Sequence, residues 1–188
     1  MGSTVGRGFS GASLGDERFT DLDFADDAVI FAETMQELTG FLEALSEESE
    51  RLGLRISWMK TKIQQFIRAV DQACNVVSCG EEEVEIVSVF PYLGSRISDD
   101  GSIKVEIDHR MGLAWGAMSS LGDQIWCSKY LSRGTKVEVF KRLVLPVLLY
   151  GCETWTLTAA KRARLNSFGT KNLRRIFGYR RCNMVPNQ

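Results

Sequence analysis

The chain has 188 residues, 44% of them hydrophobic and 25% charged, with a formal net charge of −1. That balance fits one or two small globular domains and excludes a disordered or collagen-like chain. Its longest apolar run, Leu143 to Tyr150, is far below the ~20 residues a bilayer-spanning helix needs, and the N-terminus does not read as a signal peptide. Five cysteines (Cys74, Cys79, Cys127, Cys152 and Cys182) lack zinc-ligand spacing and read as reduced thiols of a nuclear or cytoplasmic, non-secreted protein. The single histidine, His109, has no nucleophile pattern around it, so hydrolase triads find no support.

Residues 1–19 are rich in Gly and Ser, lack apolar periodicity and read as a flexible lead. Two strand-like runs follow, Thr20–Phe24 and Ala28–Ala32, with Asp26 and Asp27 at the turn between them. At ~6 Å and an effective dielectric near 20, two ionised carboxylates repel by roughly 3 kcal/mol. A divalent cation can offset that repulsion, because carboxylate oxygens are hard ligands. Asp is also common in tight turns, where its side chain bonds to nearby backbone, so the pair alone carries two readings.

Thr34-Met35-Gln36-Glu37 is a capping box, and Leu38, Phe41, Leu42, Leu45 and Leu52 share one helical face that stops at Gly53. Leu54-Arg55-Ile56-Ser57-Trp58 alternates like a strand and leads into Lys60-Thr61-Lys62. Asn75–Cys79 and Val84–Val89, either side of Gly80-Glu81-Glu82-Glu83, predict a hairpin. Beyond it, Phe90-Pro91-Tyr92-Leu93-Gly94-Ser95-Arg96-Ile97 runs into Ser98-Asp99-Asp100-Gly101, a hairpin or turn signal.

Ile107, Met111, Ala114, Met118, Leu121 and Ile125 form a seam for a partner helix, broadened by Leu113, Trp115 and Trp126. Val137, Phe140, Leu143, Val144 and Val147 predict that partner, with Ser132 or Thr135 as N-cap and a kink or break at Pro146. Charge is divided along the chain: residues 1–128 hold 10 Lys/Arg against 22 Asp/Glu, and residues 129–188 hold 13 against 2. Lys161, Arg162, Arg164, Lys171, Arg174, Arg175, Arg180 and Arg181 are interleaved with Leu165, Phe168, Leu173, Ile176 and Phe177. A helix built that way packs one face on a core and offers the other to phosphates. Solvation of the basic face, or docking on the acidic first half, are the other readings of the same pattern.

Four of these segments, in this order and spacing, carry a resemblance: Phe-Ala-Asp-Asp, Gly-Leu-Arg-Ile with Lys-Thr-Lys, Tyr-Leu-Gly-Ser, and Pro-Val-Leu-Leu-Tyr-Gly-Cys-Glu-Thr-Trp. From Asp21 to Arg181 the chain resembles the reverse transcriptase, an RNA-directed DNA polymerase, of non-LTR (LINE-type) retrotransposons. The resemblance implies an α+β fold: a truncated polymerase palm of β-hairpin plus helix (20–68), a connecting β-hairpin (69–102), a basic helical thumb bundle (103–181) and a tail (182–188). It also implies catalytic roles for Asp26, Asp27 and Lys60. Asp26 and Asp27 would be ligands of Mg2+, and Lys60 would meet the triphosphate or departing pyrophosphate. The family often has Asn where Ser57 stands. Contacts to an RNA template and DNA primer duplex are implied for Tyr92, Gly94, Lys161, Arg162, Arg164, Lys171, Arg174 and Arg175.

Two-metal nucleotidyl transfer to a primer 3′ hydroxyl needs a second carboxylate-bearing strand, which the family places far upstream of the acidic turn. Asp16, Asp21 and Asp23 share one short segment with the turn and do not supply it. The expectation is therefore the C-terminal palm and thumb of a polymerase, inactive as an isolated chain and with weak or absent Mg2+ binding. The alternatives are a non-catalytic nucleic-acid-binding module derived from the thumb, and an inert product of a decayed mobile element.

Overall fold

The structure is a computed structural model that describes residues 12–14, 17–19, 21–66, 75–80 and 82–179. Arg180, Arg181, Cys74, Cys182 and Asp16 lie outside the described residues. Helices and strands are mixed in an α+β arrangement, and the chain divides at Val87/Ser88 into two compact units. That division falls inside the 69–102 segment, giving its first hairpin to one unit and its second to the other. No helix among the described residues is long and apolar enough to cross a membrane.

Unit 1 begins with a ribbon that the Gly/Ser-rich reading of residues 1–19 did not anticipate. Strand β1 (Ala12–Leu14) pairs antiparallel with β2 (Glu17–Phe19). The two runs are too short to register as apolar periodicity. The expected acidic hairpin follows as β3 (Asp21–Phe24) and β4 (Asp27–Ile30), with Phe24 opposite Asp27.

Helix α1 (Met35–Arg51) starts at Thr34, whose Oγ1 accepts the Glu37 N–H at 3.2 Å. The reciprocal half of the capping box is not made, and Glu37 Oε2 is buried without a partner among the described residues. The helix ends in a Schellman motif: Gly53 N–H donates to Glu50 O and Leu54 N–H to Ser49 O, with Gly53 at φ 75. Leu42 is buried, but Leu45 and Leu52 are exposed, so only the first half of the expected apolar face is covered.

The alternating run Leu54–Trp58 is not a strand. Its end folds into a turn, with Lys60 N–H and Thr61 N–H both donating to Ser57 O. The alternation survives only as burial, since Ile56 and Trp58 are half-buried while Leu54 is exposed. Pairing begins later, where β5 (Lys62–Ile63) lies parallel to β7 (Glu82–Ile86), which also pairs antiparallel with β6 (Val76–Cys79). The central position of β7 explains why Val84 is the most buried residue of a cluster with Leu42, Ile63, Cys79 and Ile86.

Unit 2 opens with the hairpin β8 (Val89–Tyr92) and β9 (Ser95–Ser98), whose two-residue turn is Leu93-Gly94. Ser98–Gly101 forms the next turn, closed by Gly101 N–H on Ser98 O. Helix α2 (Lys104–Ser120) places Ile107, Ala114 and Met118 in the core, with Met111, Leu121 and Ile125 packed partly buried beside them or against them. Leu113, assigned to that seam, is exposed, and Trp115 lies at its border with its ring edge-on to Phe168. Helix α3 (Gly122–Trp126) brings Trp126 beneath α2, where its indole N–H donates to Met118 O. Full burial of each such large apolar side chain contributes about 2 kcal/mol.

Ser132 is the N-cap of α4 (Arg133–Val139), accepting the Thr135 N–H. Lys136 on α4 is buried and donates to the carbonyls of Trp126 and Ser128, the end of α3. Pro146 acts as expected, by a specific route: Phe140–Val144 widens into a π-helical turn before α5 (Leu145–Leu148), and Leu145 N–H reaches back to Phe140 O. A 3-10 turn (Cys152–Thr154) and α6 (Ala159–Phe177) complete the unit. Phe140, Val144, Leu148, Phe168 and Ile176 close the core around Ala114 and Met118.

Gly151 has φ 69, and a Cβ built there lies 3.0 Å from Ser95 Oγ. Gly122 has a similar φ of 57 but nothing within 4 Å. Both Gly→Ala changes therefore pay about 1–2 kcal/mol for left-handed backbone, and Gly151→Ala pays a crowding cost besides. Denaturant titration should find Gly151→Ala the more destabilising in wild type and the two equal in a Ser95→Ala background. An excess that survives Ser95→Ala would contradict this packing.

Candidate functional site

The acidic turn is formed by Ala25 and Asp26, and Ala25 takes φ 56 at the first central position, where two-residue hairpins ordinarily use Gly or Asn. Pairing puts Asp27 on the ribbon face of Leu22, Phe24 and Val29, and Asp21 and Asp23 on the opposite face with Ala28 and Ile30. The carboxylates thus diverge. Asp26 and Asp27 are both exposed, so water screens their repulsion and no cation is needed to balance it.

Among the described residues no three His, Cys, Asp or Glu side chains form a set that could hold a metal ion. Asp26 and Asp27 offer two carboxylates, and among the described residues no further ligand joins them to complete a two-cation site. Lys60 is exposed at the end of the Ser57 turn. Its neighbour Lys62 is instead tied to Glu85 at 2.9 Å. No hydrogen bond or ion pair among the described residues joins the Lys60 side chain to Asp26 or Asp27.

Two of the motif segments do meet, around side chains that no motif contained. Glu106 and Arg110, one turn apart on α2, are both buried and paired, with Arg110 Nε 2.6 Å from Glu106 Oε1. Glu106 Oε2 accepts the Arg96 N–H at 2.6 Å, and Arg110 Nη2 donates to Gly94 O. The guanidinium lies over the Tyr150 ring, 4.4 Å from its centroid, and Tyr150 Oη donates to Leu93 O at 3.0 Å. Tyr92-Leu93-Gly94-Ser95 and Tyr150-Gly151 are therefore two sides of one junction. Tyr92 is half-buried at its edge, and Gly94 is exposed with both turn residues at positive φ, 47 for Leu93 and 81 for Gly94. A Glu–Arg pair at i, i+4 on a predicted helix was the available signal for this junction.

On α6, Thr158 caps the start and Gly178 ends the helix in a second Schellman motif that uses the carbonyls of Arg174 and Arg175. Arg164 pairs with Asp108 at 2.7 Å and Arg175 with Asp123 at 3.0 Å. Arg162 and Lys171 are exposed, while Lys161 and Arg174 are half-buried. The basic helix thus spends two cations on acids of the first 128 residues. Exposed pairs of this kind are weak and salt-sensitive.

Titration follows this geometry. The Ser98 hydroxyl and then the Ser102 N–H hold the Asp100 carboxyl below the usual range, and Arg175 does the same to Asp123. Asp123 in turn raises the Cys127 thiol through a hydrogen bond. Desolvation, then the charge of Arg96, pushes His109 below its ordinary 6.5, and Glu106 pulls the other way.

Depressed values of either kind mean that the unfolded chain takes up protons first, so stability falls on acidification. One loss should begin as pH drops through about 6.5, from His109, and another below about 4, from Asp100 and Asp123. Denaturation of His109→Gln should lack the upper step and keep the lower one. An unchanged upper step would assign it to another group. Breaking the buried pair is costlier: Glu106→Gln should destabilise unit 2 by about 3 kcal/mol, with much of that recovered in Glu106→Leu/Arg110→Met. A double variant as unstable as Glu106→Gln would contradict the account of stranded charge.

No family model and no solved structure matches the chain. The chain is similar to a Caenorhabditis elegans protein described as transposon-derived, with 29% identity over 160 residues, 85% of this chain and 57% of that protein. It therefore spans little more than half the length of that relative. This similarity supports a mobile-element origin for the chain.

Proposed function

We propose that the chain derives from the reverse transcriptase of a non-LTR retrotransposon, and that unit 2 is its duplex-gripping portion. The observation that carries this reading is the junction of Tyr92–Ser95 with Tyr150–Gly151. Two segments recognised only as separate motifs share one buried Arg110, so their shared presence has a physical reason. The basic face of α6 is in the same unit. Phosphate contacts from such a face give a grip that does not depend on sequence. The transposon-derived relative agrees with the origin.

The parent reaction is Mg2+-dependent nucleotidyl transfer to a primer 3′ hydroxyl, from an RNA template. Asp26 and Asp27 are the proposed metal-binding carboxylates and Lys60 the proposed triphosphate contact. With one exposed acidic turn and no third converging ligand among the described residues, this chain by itself holds nucleic acid without extending it.

Purified chain given a primed RNA template, Mg2+ and deoxynucleotides should yield no extension above a buffer blank. Extension that Asp26→Asn abolishes would overturn the non-catalytic reading. Duplex binding should be sequence-independent and weaken steeply with salt, by roughly 0.9 log units of affinity per log unit of salt for each phosphate contact. Arg162→Ala/Lys171→Ala should flatten that slope by roughly two units. Arg164→Ala should change it less, because Asp108 already holds Arg164. Binding indifferent to salt would contradict the proposed interface.

A further inference from the structure

We infer that Asp108 and Asp123 act as a built-in brake on polyanion binding: they occupy two arginines on one cationic edge of α6, Arg164 and Arg175, that would otherwise meet phosphates. The inference rests on the duplex-gripping role proposed above for unit 2 and adds to it an internal competitor.

Arg164 and Arg175 are eleven residues apart on α6, about three helical turns, and Lys171 falls on the same edge between them, about two turns from Arg164. That edge borders the buried face of Phe168, Asn172 and Ile176. Elements packed on the buried face therefore reach it. From α2, Asp108 Oδ1 lies 2.7 Å from Arg164 Nη2, and from α3, Asp123 Oδ1 lies 3.0 Å from Arg175 Nη2. Lys171, between the two pairs, is exposed.

A carboxylate offers an arginine the same kind of charged oxygen acceptor as a phosphodiester. All four paired side chains are exposed, the least so being Arg175 at 40%, so water and salt weaken both pairs. Neither pair is locked in place. A duplex approaching this edge has to displace the two acids, and the displaced carboxylates stay close enough to repel its phosphates. An arginine already neutralised by a carboxylate adds little to counterion release, whereas a freed one adds about 0.9 to the salt slope.

The test uses the full chain and a short fluorescent DNA duplex, titrated at several salt concentrations. Asp108→Asn and Asp123→Asn keep the side-chain shape and one oxygen acceptor, and both variants should unfold close to the wild-type denaturant midpoint because only exposed pairs are lost. Each should tighten duplex binding about 1.5- to fivefold at low salt. The two together should steepen the salt slope by roughly two units. In an Arg164→Ala background the gain from Asp108→Asn should shrink to the long-range effect of one charge, while Asp123→Asn keeps its full gain.

Unchanged affinity and slope in the doubly substituted chain, with the wild-type chain binding duplex, would overturn the inference and leave the proposed grip standing. A gain from Asp108→Asn equally large with and without Arg164 would make the effect general repulsion, which also overturns it. Absence of duplex binding at low salt by both the wild-type and the doubly substituted chain would remove the proposed function and the inference together.

Discussion

Burying Glu106 and Arg110 together is the constraint on which unit 2 depends. Taking a carboxylate and a guanidinium out of water costs several kcal/mol each unless their remaining valences are met. Here they are met by the partner charge, the Arg96 N–H, the Gly94 carbonyl and the face of Tyr150. The N–H and the carbonyl come from the β8–β9 hairpin, and the ring comes from the segment that follows α5. The requirement to satisfy one ion pair therefore fastens β9, the Leu93-Gly94 turn and the end of α5 to α2. Gly151 is left-handed, and the 3.0 Å between a Cβ built there and Ser95 Oγ marks how closely the two segments approach.

Among the described residues, unit 1 has no comparable anchor. Its core is a three-stranded sheet under the first half of α1, with Ile30 the residue of the acidic ribbon that packs against it. Phe24 is 60% exposed and Leu52 79%, and β3–β4 stops at two strands. Apolar side chains on a ribbon with open edges are normally covered by something, since such edges invite association. The acidic turn thus sits on a ribbon whose Leu22 and Phe24 are exposed, whereas the duplex-gripping portion proposed above is tied into a continuous core.

Local chemistry was legible in the sequence wherever one residue decides the outcome. Thr34, Ser132 and Gly53 acted as the caps their side chains or lack of one dictate. Pro146 forced a change in the helix because it has no N–H to give. The α2 seam was legible for the same reason, as periodicity records a packed face. Pairing was less so: Leu54–Trp58 has the alternation of a strand, but no strand lies beside it, and alternation alone cannot supply a partner. The second half of the α1 face was misjudged because apolar residues mark what can be covered, not what is. The ionic junction was missed because charged residues on a helix ordinarily face water, and Glu106 and Arg110 are buried only by virtue of segments 10 to 40 residues away.

If the buried pair makes the β8–β9 hairpin one cooperative body with the helices, native-state hydrogen exchange reads it directly. The Arg96 amide, held by Glu106, should exchange at the rate of the α2 core amides at Ala114 and Met118, while amides across residues 21–30 exchange orders of magnitude faster. Fast exchange at Arg96 beside a protected α2 would show that the hairpin opens independently and that the ion pair does not organise the unit.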